Sequence, residues 1–332
     1  MTLKTSGHWS RQKEQTAGYW HIKLLLLLFR IFPVVILRVL AFPVGFFYFL
    51  FSKNARAFSK RFLIKAAPFI ENPETQKKCR SPFAPLRHIV SFSLALVEKL
   101  QSWGGKYRFG NIHFQDDDIA GLMADLENKK GVFVITSHLG NTELLRGLAD
   151  FGTTGVSRKV PITAIINLAV TKNFNRMVKE LNNKFDMGII AASEIGAHTA
   201  AFFEERLSLG GIVTIAGDRT SGGKAEKSLA IPFLGEEAPF SQGAFYLAAL
   251  IRAPVYFIFA LRRGDLSVRP EYDMHVHKSS LSPDSLPLDS TRKERLRLSA
   301  SLANDFASLL ENYCKEQPFQ WYNFYDFWIK EV

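Results

Sequence analysis

Short apolar runs alternate with amphipathic stretches through the second half of the chain. Gly131-Val-Phe-Val-Ile-Thr136 and Gly211-Ile-Val-Thr-Ile-Ala216 are brief unbroken apolar runs, the pattern of strands buried on both faces. Residues 160–166, 187–191 and 254–261 predict further strands. Residues 266–277 alternate like a half-exposed strand. Between them, residues 142–151, 172–183, 197–209 and 241–251 predict helices. Strands and helices alternating at this spacing imply an α/β fold with a mostly parallel central sheet flanked by helices.

Upstream, residues 75–101 read as an amphipathic helix with Ile89, Phe92, Leu96 and Leu100 at helical spacing. Residues 106–114 predict a strand. Asp116-Asp-Asp118 predicts a helix start, because acidic groups suit the positive end of a helix dipole. Downstream, Thr291 and Glu294 form a capping-box pattern at the head of a long helix, 290–314. Leu298, Leu302, Phe306, Leu309 and Tyr313 share one face of it. The aromatic segment 321–328 is expected to pack against the sheet.

The most apolar stretch runs from Leu24 to Phe51, interrupted by Arg30, Pro33, Arg38 and Pro43. No unbroken run reaches the ~18 residues of a clean spanning helix. A kinked membrane helix, an interfacial hairpin with snorkelling arginines, and a buried core helix all fit the pattern. Basic residues on both sides (Lys13 and Lys23 before; Lys53, Arg56, Lys60, Arg61 and Lys65 after) favour an anchor at an anionic membrane. Residues 1–65 are therefore read as anchor and basic flank, and 66–332 as the main domain. A signal peptide is not expected, because the apolar region is long and lacks a small-residue cleavage pattern.

The net charge of +11 narrows the partner to something anionic. The basic residues are dispersed or flank the apolar segment and form no recognised nucleic-acid module, so membrane lipid is expected and nucleic acid is not. Two cysteines without a C-x-x-C pattern exclude a disulfide framework and a Cys-rich zinc site. His275 and His277 alternate on a predicted strand but lack a nearby third ligand, so no metal is expected.

Candidate chemistry sits at Thr136-Ser-His-Leu-Gly-Asn-Thr-Glu143, after a predicted strand and before a predicted helix. Ligands in open α/β sheets bind beyond the carboxyl ends of strands. His138 is read as a general base and Glu143 as the carboxylate that orients it, with Gly140 letting the loop fold back. Asn141 or Thr142 is expected to cap the helix, and Arg146 to pair with Glu143 or contact substrate. The His-to-acid spacing alone carries nothing: 8 × 31/332 gives about 0.7 such pairs by chance, and the chain has a second, His113–Asp118. The strand-before, helix-after context singles out the first. Gly217-Asp-Arg-Thr-Ser-Gly-Gly-Lys224 departs from a phosphate loop by an extra Gly and by Ala225 in place of Ser or Thr, and is read as a loop over the site.

Ser137-His-Leu-Gly-Asn-Thr-Glu143 resembles the His-four-residues-acid motif of the lysophospholipid acyltransferase superfamily. It is most similar to the branch of late lipid A (lauroyl/myristoyl) acyltransferases and the related enzymes of aryl polyene and other lipid pathways. Gly217-Asp-Arg219, Phe233-Leu-Gly235, Pro239-Phe-Ser-Gln-Gly243 and Pro254-Val255 resemble that branch's later blocks. The resemblance implies a glycerolipid-acyltransferase-like fold and an enzyme of O-acyl transfer at the cytoplasmic face of a bacterial inner membrane. It implies no metal or other cofactor, an acyl carrier protein or coenzyme A thioester as co-substrate, and a monomer. His138 and Glu143 would be catalytic, and Gly140, Asn141, Arg146, Asp218 and Arg219 would line the substrate site. Two departures leave the acceptor open: no Pro-Glu-Gly-Thr-like block is found, and Asp218-Arg219 stands where Asp-Gln is usual. The alternative is a non-catalytic lipid-binding protein on the same fold.

Overall fold

A computed structural model describes residues 27–28, 31–103, 111–115, 118–145, 156–166, 187–220, 228–281, 283, 286–287 and 289–328. The predicted helix at 172–183 and the loop 221–227 lie outside the described residues.

Among the described residues seven strands form one sheet: β1 (Ile112–Phe114), β2 (Val132–Thr136), β3 (Ile162–Ile166), β4 (Met187–Ala191), β5 (Ile212–Ala216), β8 (Val255–Arg262) and β9 (Tyr272–Lys278). Their order is β1-β9-β8-β2-β5-β3-β4. All neighbours are parallel except β8 and β9. β6 (Ser228–Phe233) and β7 (Glu236–Ser241) form a separate antiparallel hairpin. The sheet is thus α/β and mostly parallel, as the alternation predicts.

The unbroken apolar runs have a simple cause. Every residue of β2 and of β8 is buried, because helices cover both faces. Alternate side chains serve opposite faces. Phe133, Ile135, Val213, Phe257 and Phe259 meet α7 (Gln242–Ile251) and α8 (Arg292–Glu316) through Phe245, Leu302, Phe306 and Leu310. Val132, Val134, Ile212, Tyr256 and Ile258 meet α5 (Asp118–Glu127) through Leu122 and Leu126. α6 (Ala197–Ser208) packs beside β5. The capping box forms: Thr291 Oγ1 accepts from the Glu294 N–H, and Glu294 Oε2 accepts from the Thr291 N–H.

The expected single helix at 75–101 is two. α3 (Pro73–Arg80) stops at a turn over Ser81–Phe83, and α4 (Ala84–Trp103) follows. Asn72 caps α3, accepting from Glu74 and Thr75 N–H groups. The strand expected at 266–277 is shorter, since β9 begins at Tyr272.

The N-terminal apolar segment gives α1 (Val34–Phe51) and α2 (Lys53–Ala66). Among the described residues α1 is the one helix long and apolar enough to cross a membrane. Leu37, Arg38, Ala41 and Gly45 form a buried stripe against α4. A Cβ at Gly45 would lie 3.0 Å from Val90 Cα, so a larger residue there would push the two helices slightly apart. The remaining faces expose Val35, Val39, Val44, Phe47 and Phe51. Arg38 does not snorkel outward. It is buried, donating to Val268 O at 3.0 Å and to Gln101 Oε1. Arg56 of α2 donates to the Phe49 and Leu50 carbonyls, satisfying the end of α1. Phe62, Leu63 and Ala66 of α2 belong to the same core as the sheet, so the basic flank packs as part of the main domain.

Candidate active site

β2 and β5 are parallel neighbours with a constant offset of 80 residues, from Val132 opposite Ile212 to Thr136 opposite Ala216. Each chain continues two residues past its strand. The register therefore delivers His138 and Asp218 side by side at the carboxyl edge of the sheet. Asp218 Oδ1 lies 2.8 Å from His138 Nδ1, and Asp218 Oδ2 accepts from the His138 backbone N–H at 2.8 Å. A third donor, the indole N–H of Trp321, reaches Oδ2 at 3.1 Å.

This geometry fixes the protons. Asp218 is fully buried. Burial alone would raise its carboxyl; the charge and hydrogen bonds of His138, and then Arg219, override it and hold the group down to about 2. Burial is also the chief influence on His138, and with the Arg219 charge it brings the imidazole down to about 4, Asp218 opposing. The ring keeps 31% exposure, so it meets solvent as well as protein. At neutral pH the pair is a neutral imidazole beside a carboxylate. The carboxylate can only accept, so Nδ1 carries the proton and Nε2 keeps its lone pair.

The loop that presents His138 is held from both sides. The Gly140 N–H donates to Gln320 O and the Asn141 N–H to Ala260 O, both at 2.9 Å, while the Tyr322 N–H donates to His138 O at 3.1 Å. Gly140 has φ +70°, and a Cβ there would fall 2.0 Å from Ala260 O. This conformation and the close backbone approach both call for glycine. Arg219 reaches the same clasp, donating from Nε to Asn323 Oδ1 and from Nη2 to Tyr322 O, both at 2.8 Å.

His138 and Glu143 line one cavity of about 160 Å³. Its apolar wall is built from Leu145, Ile162, Ile165 and Ile166, with Ile215 of β5, and its polar lining includes Ser137, Thr142 and Lys99.

Two expectations change. The carboxylate at His138 Nδ1 is Asp218, not Glu143; residue 143 sits in a 3-10 turn, Thr142–Leu144, where the sequence predicts a regular helix. Asn141 makes no side-chain cap bond. It is buried, and among the described residues neither of its side-chain polar atoms has a hydrogen-bond partner. Asp218 meets His138 and Arg219 follows it in the chain, and both are engaged with protein groups. Arg146 lies outside the described residues. Sequence reasoning missed Lys99 and the indole of Trp321. A signal for Asp218 was present: it follows its strand by two residues, as His138 does.

His113 pairs with Glu271 at 3.3 Å, and Asp118 accepts from the Lys278 backbone N–H at 2.8 Å. His277 Nε2 lies 2.6 Å from the Tyr313 hydroxyl, and His275 packs on the same ring. Among the described residues no group of metal-ligating side chains is found.

The fold and site define a class: an α/β protein with a mostly parallel seven-stranded sheet and a histidine–carboxylate pair at its carboxyl edge. The chain matches no family model, and no curated protein matches it.

Proposed function

We propose that the chain is a membrane-associated acyltransferase that moves a fatty acyl group from an acyl carrier protein or coenzyme A thioester to a hydroxyl of a lipid or glycolipid. The observation that carries this reading is the His138–Asp218 pair beside an apolar-walled cavity. His138 Nε2 takes the proton of the acceptor hydroxyl as its oxygen attacks the thioester carbonyl carbon. The tetrahedral adduct collapses, the C–S bond breaks, and the departing thiolate takes the proton back from Nε2. Asp218 stays ionised throughout, holds the Nδ1 proton and stabilises the imidazolium between the two transfers. Leu145, Ile162 and Ile165 supply a surface for the acyl chain.

The exposed apolar faces of α1, with Lys53 and Lys60 exposed on α2, support residence at an anionic membrane, read as the cytoplasmic face of a bacterial inner membrane. The resemblance of Ser137–Glu143 to the lipid A acyltransferase branch supports the same reading and suggests that Glu143 assists as a second carboxylate.

Mass spectrometry of lipids from cells with and without the protein identifies the acceptor as the species lacking one acyl group. His138→Ala is expected to abolish transfer while circular dichroism and membrane retention stay unchanged. Full transfer by that variant would sink the assignment.

A further inference from the structure

Adjacent residues of α4 place two charges in different surroundings. Side chains one position apart on a helix diverge by about 100°. Glu98 is sealed in the interior with Arg262 and Tyr272. Lys99 is half-buried on the wall of the cavity that holds His138 and Glu143.

The other charges facing Lys99 are engaged or differently placed. Arg219 donates to Tyr322 O and Asn323 Oδ1. Asp218 accepts from three donors. Glu143 attracts Lys99 electrostatically, yet among the described residues no hydrogen bond or ion pair engages the Lys99 ammonium. Burial disfavours its charge and lowers its pKa, with Glu143 opposing. An ammonium held half out of water without a bonded partner gains most from an anion.

Two kinds of anion are chemically open: the oxyanion formed during transfer, or a charged group carried by the substrate. Oxyanion stabilisation depends on donors held rigidly before reaction. Lys99 is a point charge on a long stem with no hydrogen bond to hold it, which suits a phosphate better. The apolar wall beside it then takes hydrocarbon.

We propose that Lys99 is the phosphate-binding residue of this cavity, anchoring a phosphate carried by the amphiphile that occupies it. Only the identity of the carrier rests on the acyl-transfer reading. The phosphate belongs either to the thioester donor or to the acceptor.

The test uses the full chain in detergent, with hexyl phosphate and uncharged 1-hexanol as probes in titration calorimetry. Wild type is expected to bind hexyl phosphate more tightly than 1-hexanol. Lys99→Met and Lys99→Gln should weaken hexyl phosphate about tenfold or more and leave 1-hexanol unchanged, while Lys99→Arg retains most of the affinity. Independently of folding in the variants, hexyl phosphate should slow reductive methylation of wild-type Lys99, read by peptide mass spectrometry, and 1-hexanol should not. Equal affinity for the phosphate in wild type and Lys99→Met, or no protection of Lys99, overturns the proposal. Displacement of the probe by free coenzyme A assigns the phosphate to the donor; resistance assigns it to the acceptor. Lys99-dependent binding without any thioester turnover would leave this site standing and remove the acyltransferase reading.

Discussion

Replacing Asp218 with Asn exchanges one of two acceptor oxygens for an N–H2 donor inside the site. Oδ2 accepts from the His138 backbone N–H and the Trp321 indole, and Oδ1 faces His138 Nδ1. The amide therefore has two orientations. With its nitrogen toward Oδ2's two donors, it leaves two buried N–H groups facing N–H, at about 1–3 kcal/mol each. With its oxygen there, both bonds survive and the N–H2 faces Nδ1. The second arrangement wins, and it moves the imidazole proton to Nε2. Folding changes by no more than about 2 kcal/mol, since neutral bonds replace charge-assisted ones while a buried charge disappears. The base, however, is lost. We expect kcat to fall about 10³–10⁴-fold with KM nearly unchanged. Nitrogen NMR of labelled histidine reads the cause directly: at pH 7 the unprotonated ring nitrogen of His138 is Nε2 in the wild type and Nδ1 in Asp218→Asn. The same tautomer in both proteins, or full turnover by the variant, refutes the reasoning.

Three further outcomes follow from the packing. Deleting residues 1–52 should release the protein from membranes and also lower its melting temperature in detergent, because α1 covers α4 and Arg38 bonds Val268 O; Arg38→Met alone should cost about 1–3 kcal/mol in urea unfolding without loss of membrane retention. Acidification should destabilise the fold. His88 is fully buried between the Ser59 hydroxyl and Trp321 O, and burial holds it at about 3 against an ordinary value of 6.5, so it stays neutral in the folded state. The unfolded chain binds a proton that the folded chain refuses, so stability falls as pH drops through 6.5 and continues to fall towards 3. His138 adds to this down to about 4, and Asp218 extends it from 3.8 towards 2. Between pH 7 and 5 His88 contributes about 2 kcal/mol, and urea midpoints of His88→Asn should show a correspondingly flatter acid limb; an unchanged limb contradicts the burial argument.

The sheet was readable because each buried parallel strand is a local apolar run, and β2, β4 and β5 fall within a residue of their expected bounds. Asp218 was readable only as a lining residue. Its role depends on β5 inserting between β2 and β3, and no local pattern fixes which strands are neighbours. The nearby Glu143 took its place because the motif favoured a carboxylate in the same segment. The β6–β7 hairpin escaped notice because its two-residue turn is Leu234-Gly235, with φ of 49° and 79°. Leucine seldom adopts that conformation, so the usual Asn-Gly signal was missing. Arg38 looked like a snorkelling residue because the carbonyl that satisfies it belongs to residue 268. Trp321 was correctly placed in the core, but nothing in an aromatic tail announces that its indole N–H will meet a carboxylate.

The clasp around the His138 loop has a bearing on biosynthesis. A ribosome-bound chain that has emerged only as far as α8 already contains the histidine and its acidic neighbour, yet lacks the Gln320, Trp321 and Tyr322 groups that bond to them. Until those residues leave the exit tunnel, the imidazole is untethered on that side. The histidine–carboxylate pair therefore gains its full set of hydrogen bonds only after residues 320–322 have emerged, long after the histidine itself.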